Sequence, residues 1–396
     1  MPLILLPCLL PFISAEGSKI TWKPLFEFRT RYERRLNKDF NDAKSDNRVD
    51  YFTRLRIGTS FAVGKDWTGR FVYQYAQAIH QTPNLNNSED RSDLLELNLS
   101  IPISLGKLTV GRQQFTKGDH RLFDEGAFGL TGTYLDLVKL QGKDFDLFGG
   151  TVPIQSKPNR AARVLGASQL WRAGESMAIY THSGDGTGKR DLYTFDHLYR
   201  KPLKSAELTL ELIGQLGRYG HQKVEAFAGV ARWNRTLSPT WKTFVEGNLS
   251  SGGSSGSTRH TFDPLFGSFH KYYGIMDVVS FSNLQELAGG FSYLPRKDIN
   301  LSLEYHRFGL HDATDAVYTN GVTPLKSGSK TLVDPTGHSG TDLGQEISLE
   351  ATWSFQKQWS LSGGAGIFRP GNFVRSLVGS QVADQTWGYV QLQCKF

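Results

Sequence analysis

Tight turns alternate with longer polar loops along this chain, and the segments between them are roughly ten residues long, the length of a tilted membrane-crossing strand. The tight turns fall at residues 64–66, 104–107, 142–144, 172–174, 201–205, 237–240, 295–298 and 356–358. The loops fall at 81–91, 116–132, 152–163, 184–190, 218–221, 251–283, 309–342 and 370–384. Short connections at one end and long ones at the other are what an up-and-down barrel requires. Strands are predicted to begin near residues 20, 49, 67, 93, 107, 133, 144, 163, 175, 190, 205, 221, 240, 284, 298, 343, 358 and 385. The expected fold is therefore an all-β, antiparallel transmembrane barrel of about eighteen strands, with sixteen as the alternative. An even count puts both termini and the short turns on the periplasmic side and the long loops outside.

Composition is consistent with this reading and excludes another. Of 396 residues 39% are hydrophobic, and no apolar run reaches the roughly 18 residues of a spanning helix. In a barrel the lipid-facing and lumen-facing residues alternate, so the membrane signal is diluted. A soluble sandwich could share this composition. Residues 1–15 are apolar and end on Ser14 and Ala15, which reads as a secretory signal ahead of a barrel over 16–396. Cys8 leaves with such a signal, so Cys394 stands alone and no disulfide framework is expected.

Period-two alternation assigns the faces. In the first strand Phe26, Phe28, Thr30 and Tyr32 share one face; Glu27, Arg29, Arg31, Glu33 and Arg35 share the other. A charge at the hydrocarbon midplane costs about 2–4 kcal/mol, so the charged face is expected to line the lumen. By the same logic Arg54, Arg56, Arg70, Glu207, Glu211, Glu346 and Glu350 point inward, and Glu96 opposes an outward Leu95, Leu97 and Leu99. Trp67, Trp241 and Trp359, each just after a short turn, suggest a periplasmic aromatic girdle. The last strand alternates Val390, Leu392, Cys394 and Phe396 with Tyr389, Gln391, Gln393 and Lys395. Its terminal Phe396 is similar to the aromatic that outer-membrane assembly machinery reads.

Several short motifs recur in order. They are Gly111-Arg112-Gln113, Gly118-Asp119-His120-Arg121, Phe262-Asp263-Pro264-Leu265-Phe266, Tyr273-Gly274 with Asp277, and Asn283. Gly344-Gln345-Glu346, Phe368-Arg369-Pro370-Gly371 and Trp387-Gly388-Tyr389 follow. With them the chain resembles the alginate export family of outer-membrane barrels. That resemblance implies a monomeric barrel with an Arg- and Lys-lined lumen, passing an anionic uronate polysaccharide outward. The chain departs from the family pattern at Gly132-Thr133-Tyr134-Leu135-Asp136, where an Arg is expected before the Asp.

The expected pore lining is Arg29, Arg31, Arg54, Arg56 and Arg70, joined through the family motifs by Arg112, Arg121 and Arg369 near the outer rim. Guanidinium suits carboxylate because its planar fork engages both oxygens. Glu27, Glu33, Glu96 and Glu346 are candidate partners that would lock some of these arginines into transverse ion pairs. An anionic polysaccharide is the expected cargo, small anions the alternative, and outer-membrane lipids the surroundings. The long loops 251–283 and 309–342 are expected to lie outside or to fold back into the mouth as gates. No cofactor is expected; calcium held by Asp312, Asp315, Asp334 and Asp342 is the weaker alternative. Gly252-Gly253-Ser254-Ser255-Gly256 matches a nucleophile pattern but lacks the strand-to-helix elbow, and His182-Ser183 diverge in an extended chain, so an enzyme is not expected and an outer-membrane hydrolase is the remote alternative. The net charge of +7 favours anions, but without a basic cluster nucleic acid is not an expected partner.

Overall fold

The computed structural model describes residues 20–43, 45–64, 66–82, 85–154, 156, 161–184 and 188–396. The expected signal segment 1–15, with Cys8, lies outside them. Eighteen strands form the wall: β1 Ile20–Leu36, β2 Arg48–Val63, β3 Trp67–Thr82, β4 Leu85–Ile103, β5 Gly106–Gln113, β6 Leu135–Gln141, β7 Phe145–Val152, β8 Ala162–Trp171 and β9 Gly174–Ser183. They continue as β10 Arg190–Pro202, β11 Ala206–Tyr219, β12 Gln222–Thr236, β13 Trp241–Ser250, β14 Leu284–Arg296, β15 Ile299–Leu310, β16 Asp342–Phe355, β17 Trp359–Pro370 and β18 Gln385–Lys395. Each pairs antiparallel with its neighbours, and β1 pairs with β18 from Glu27↔Lys395 to Leu36↔Thr386, closing the sheet. Closure removes every edge, as lipid demands of a spanning sheet.

The seam ends on the terminal aromatic. Phe26 and Phe396 exchange main-chain bonds of 2.9 and 3.0 Å, and their rings stack at 5.0 Å. Outward faces carry an apolar belt that includes Ile57, Phe71, Leu212, Phe227, Leu287, Leu349 and Val390, all exposed. At the short-turn end Trp241 stacks on Tyr293 at 4.5 Å and Trp353 packs on Phe355 at 4.8 Å, forming part of a girdle.

Two expectations about the wall need correction. Residues 81–91 do not form a long loop; β3 and β4 stay paired from Val49's neighbour Gln81↔Asn86 out to Thr82↔Leu85. Beyond the bilayer a strand needs no apolar face, so an all-polar run such as Asn86-Asn87-Ser88-Glu89 can remain in the ladder. Leu95 does not point outward either. A bulge shifts the register between Val72↔Glu96 and Tyr73↔Leu94, and Leu95 turns in to pack with Val72 and Tyr134.

Inside, the lumen is crossed by its own loops. Loop 114–134 springs from β5 and loop 251–283 from β13, and together they bury Phe115, Leu122, Phe123, Phe262, Phe266, Tyr273, Met276 and Phe281. Loop 311–341 covers the second of these through Ser280 N–H to Tyr318 O at 2.9 Å and Thr261 Oγ1–H to Asp315 at 2.7 Å. A short helix α1, Asn372–Val378, tucks Phe373 and Val374 into the same apolar mass.

Candidate lumen constriction

The inward face of β1 and β2 is the most charged strip of the wall. Register pairs Glu27 with Arg56 and Arg29 with Arg54, so their side chains meet on one face. Arg54 Nε–H donates to Glu27 at 2.7 Å, and Arg56 reaches the other Glu27 oxygen at 3.4 Å while donating to Gln74 at 2.7 Å. Arg31 pairs with Glu33 at 2.7 Å, and Glu33 also accepts the Trp387 indole N–H at 3.0 Å. Farther round, Arg70 forms a two-pronged pair with Glu96 at 2.6 and 3.0 Å. Among the described residues Glu346 pairs with no arginine; it accepts the Met276 amide from loop 251–283 at 3.3 Å.

Arg29 and Arg35 differ from these because, among the described residues, they bind only uncharged oxygens. Arg29 donates to the carbonyls of Ala127, at 2.7 Å, and Gly129; Arg35 donates to Met276 O and Gln385 Oε1, both at 2.7 Å. Arg31 adds a bond to Phe128 O at 2.7 Å and lies 3.9 Å from that ring's centre. The strip thus holds both inward loops by their backbones.

Across the lumen the centre is Arg121, fully buried on loop 114–134. Its guanidinium bonds Glu246 of β13 at 2.8 Å and the Tyr273 hydroxyl at 2.8 Å, and lies 3.3 Å from Glu211 of β11. The Tyr272 ring covers it at 3.8 Å. Asp119 on the same loop pairs with Arg200 of β10 at 3.0 Å. One loop therefore reaches β1 and β2 on one side and β10 to β13 on the other, which spans the bore. Between the two loops His270 stacks on Phe128 at 3.6 Å and bonds Asp277 at 3.0 Å. Burial works against the imidazolium, but the Asp277 carboxylate outweighs it and raises the His270 pKa.

The sequence-predicted arginines separate into groups. Arg29, Arg31, Arg54, Arg56 and Arg70 face inward as expected from alternation. Arg121 lies at the centre of the constriction and not at the rim. Arg112, near the end of β5, clamps Asp136 at 2.7 and 2.9 Å, and its guanidinium lies 4.5 Å from the centre of the buried Tyr134 ring and 3.4 Å from Asp93. Arg369 departs from expectation: it shares the β17 face of exposed Leu361, with Phe368 turned inward instead. Glu246 and Tyr272 were not singled out from sequence. For Glu246 the signal existed, as the acid on the Lys242, Phe244, Glu246, Asn248 face of β13.

The other candidates disperse. Asp312 binds Thr314, Asp334 binds Thr336 and Ser339, Asp315 holds Gly253 and Thr261, and Asp342 pairs with Arg307. These four carboxylates do not converge on one point. Ser254–Ser255 pairs with Thr258–Arg259 in a short hairpin, where His260 stands 3.4 Å from Ser255 but spends its other ring nitrogen on the Glu225 carbonyl. His182 turns to Asp191 at 2.6 Å, and Ser183 to Arg190 at 3.0 Å.

Comparison with known proteins agrees with this architecture. The alginate export signature matches residues 25–387, nearly the whole wall and both inward loops. The chain belongs to the alginate export family. Alginate production protein AlgE of Azotobacter vinelandii is 29% identical over 160 residues, covering 36% of this chain and 31% of that protein. The aligned part is thus under a third of that relative's length. Among solved structures, OccK5 (OpdH) of Pseudomonas aeruginosa superposes with a TM-score of 0.62 at 12% identity, covering 95% of this chain and 98% of that one. The outer-membrane protein OprD from the same organism gives 0.61 at 12%, covering 97% and 95%. At such identities the likeness concerns the fold: an eighteen-strand outer-membrane barrel. With the family, it makes this chain a channel of the bacterial outer membrane.

Proposed function

We propose that this alginate export family barrel is a passive conduit for an anionic, uronate-type polysaccharide or its oligomers, with no catalytic step. The observation that carries this is the excess of guanidinium on the β1–β2 strip. Arg29, Arg31, Arg35, Arg48, Arg54 and Arg56 lie on the inward face with only Glu27, Glu33 and Asp50 to offset them, and Arg29 and Arg35 take no carboxylate among the described residues. Paired arginines keep the geometry; the excess sets the sign of the field in the bore. Such a wall lowers the barrier for a polyanion, provided the interaction stays weak and multi-site enough for onward movement. On this reading residues 1–15 direct export, Phe396 engages the assembly machinery, and the cargo is the chief partner.

A second reading has support in the packing of the lumen. Loops 114–134 and 251–283 fill so much of it that an anion-preferring porin for small solutes needs no further opening. Planar-bilayer recordings separate the two. Anion selectivity with block by oligouronates supports the conduit; unblocked current supports the porin. Arg29→Glu with Arg54→Glu is expected to abolish or reverse anion preference while the folded band persists on unheated gels. Unchanged selectivity in that folded variant refutes the role assigned to the strip.

A further inference from the structure

The cations of the mid-lumen are mostly spoken for, whereas those nearest the periplasmic turns are not. Lys23 lies three residues into β1, Lys107 one residue into β5, Lys139 two residues before the end of β6, and Lys242 one residue into β13. Alternation puts all four on inward faces: Lys23 with Glu27 and Arg29, Lys107 and Lys139 with buried Thr109, Lys242 with buried Glu246. None of them forms an ion pair among the described residues. The carboxylate on the strand beside Lys139, Asp146, is occupied by Lys117 at 2.6 Å.

Three of these lysines line two recesses of the lower wall, and Lys139 stands beside the first of them, paired with Thr109 across β5 and β6. One, of about 370 Å³, is lined by Lys23, Arg70 and Lys107 with Ser60, Asn98 and Ser100. The other, of about 740 Å³, is lined by Lys242 and Arg232 with Asn234 and Phe244, and its Glu207 is the one carboxylate lining either recess among the described residues. Arg70 and Arg232 each have a single carboxylate partner, with 45% and 22% of the side chain still exposed. Eight strands lie between β3 and β12 in either direction round a closed wall of eighteen, so the recesses face each other across the bore.

We infer that this opposed pair of cationic recesses is the capture site at which an anionic polysaccharide is loaded from the periplasm, before it meets the arginine strip. The inference rests on the conduit reading and adds a place and a direction to it. The chemistry suits the task. Ammonium groups are compact, strongly hydrated point charges on flexible stems, so they attract carboxylates without the fixed two-pronged grip of arginine, and the hydroxyl and amide side chains between them match sugar hydroxyls. Attraction that is strong at long range and weak in contact favours loading followed by release up the bore.

The test uses a mannuronate octamer added to one side of the full-length channel in a planar bilayer, with the block on-rate read from single-channel records. In the wild type the on-rate from the periplasmic side is expected to exceed that from the extracellular side. In Lys23→Gln/Lys107→Gln/Lys139→Gln/Lys242→Gln it should fall about tenfold on the periplasmic side only, with a shallower dependence on salt. If that variant assembles poorly, Lys107→Gln/Lys242→Gln carries the same comparison with one lysine removed from each recess. Block that is equal from both sides, or unchanged by the substitutions, overturns the collar and leaves the conduit standing. Failure of the octamer to block the wild type from either side removes the conduit reading and the collar together.

Discussion

Replacing Arg121 by Met should open the channel without unfolding it. The guanidinium is fully buried and faces Glu211 and Glu246, each only 1% exposed at the side chain. Glu246 keeps a second partner, Arg232 at 2.6 Å, but Glu211 is left in a dry site beside the Asp196 carboxyl, with no ion-pair partner among the described residues. Removing one member of a buried pair costs about 3–5 kcal/mol, because the remaining charge stays desolvated. The wall strands lose none of their ladder, so the cost falls on the tucked position of loop 114–134 and on the Tyr272-Tyr273 segment that packs against it. At about 1.4 kcal/mol per tenfold, the ratio of tucked to released loop should drop roughly 140- to 3,700-fold. Single-channel conductance should rise with frequent large openings, and trypsin should nick loop 251–283 in folded protein. Arg121→Met with Glu211→Gln removes the orphaned charge and should recover most of the closed behaviour. Wild-type conductance and proteolysis in the single variant, or a double variant as leaky as the single, would refute the argument.

Two further outcomes follow from the same loops. His270 has a pKa raised by Asp277 against the opposing effect of burial, so its folded value exceeds the unfolded one. Its contribution to the tuck is complete below the unfolded value of about 6.5 and is lost as pH rises through the folded value, so conductance should climb across that interval in the wild type and stay flat in His270→Gln. Gly267 is where loop 251–283 presses on loop 114–134: an added Cβ would overlap the Arg121 carbonyl oxygen. Gly267→Ala should therefore raise conductance as Arg121→Met does, whereas Gly214→Ala, with open space around the added carbon, should leave it unchanged.

Strand positions were legible because lipid enforces alternation along every wall segment, and most predicted starts lie within two residues of the observed ones. The exceptions lie where that constraint lapses. Asn86 to Ser88 stay paired beyond the bilayer, where polarity no longer separates strand from loop. Leu95 is the extra residue of a bulge, left unpaired between Val72↔Glu96 and Tyr73↔Leu94, so parity counted from Leu97 and Leu99 gives it the wrong face. Inward arginines could be read from their strands, but their partners could not. Arg29 binds carbonyls some hundred residues away, and a carbonyl leaves no mark on the sequence. For Arg121 the motif around it was visible; its central position depends on where a loop without periodicity turns, which side-chain pattern does not encode.

The attachment of residues 127–129 to the wall is made through main-chain oxygens. Every residue type carries the same carbonyl, so Arg29 and Arg54 grip this turn without regard to what side chains it displays. Phe128 is committed by its stacking on His270 and Arg31, but Ala127 and Gly129 are not, and a Cβ on Gly129 meets its first neighbour only at 3.4 Å. The turn can therefore change what it presents to a passing solute while its anchorage stays constant, which separates the inheritance of selectivity from that of stability.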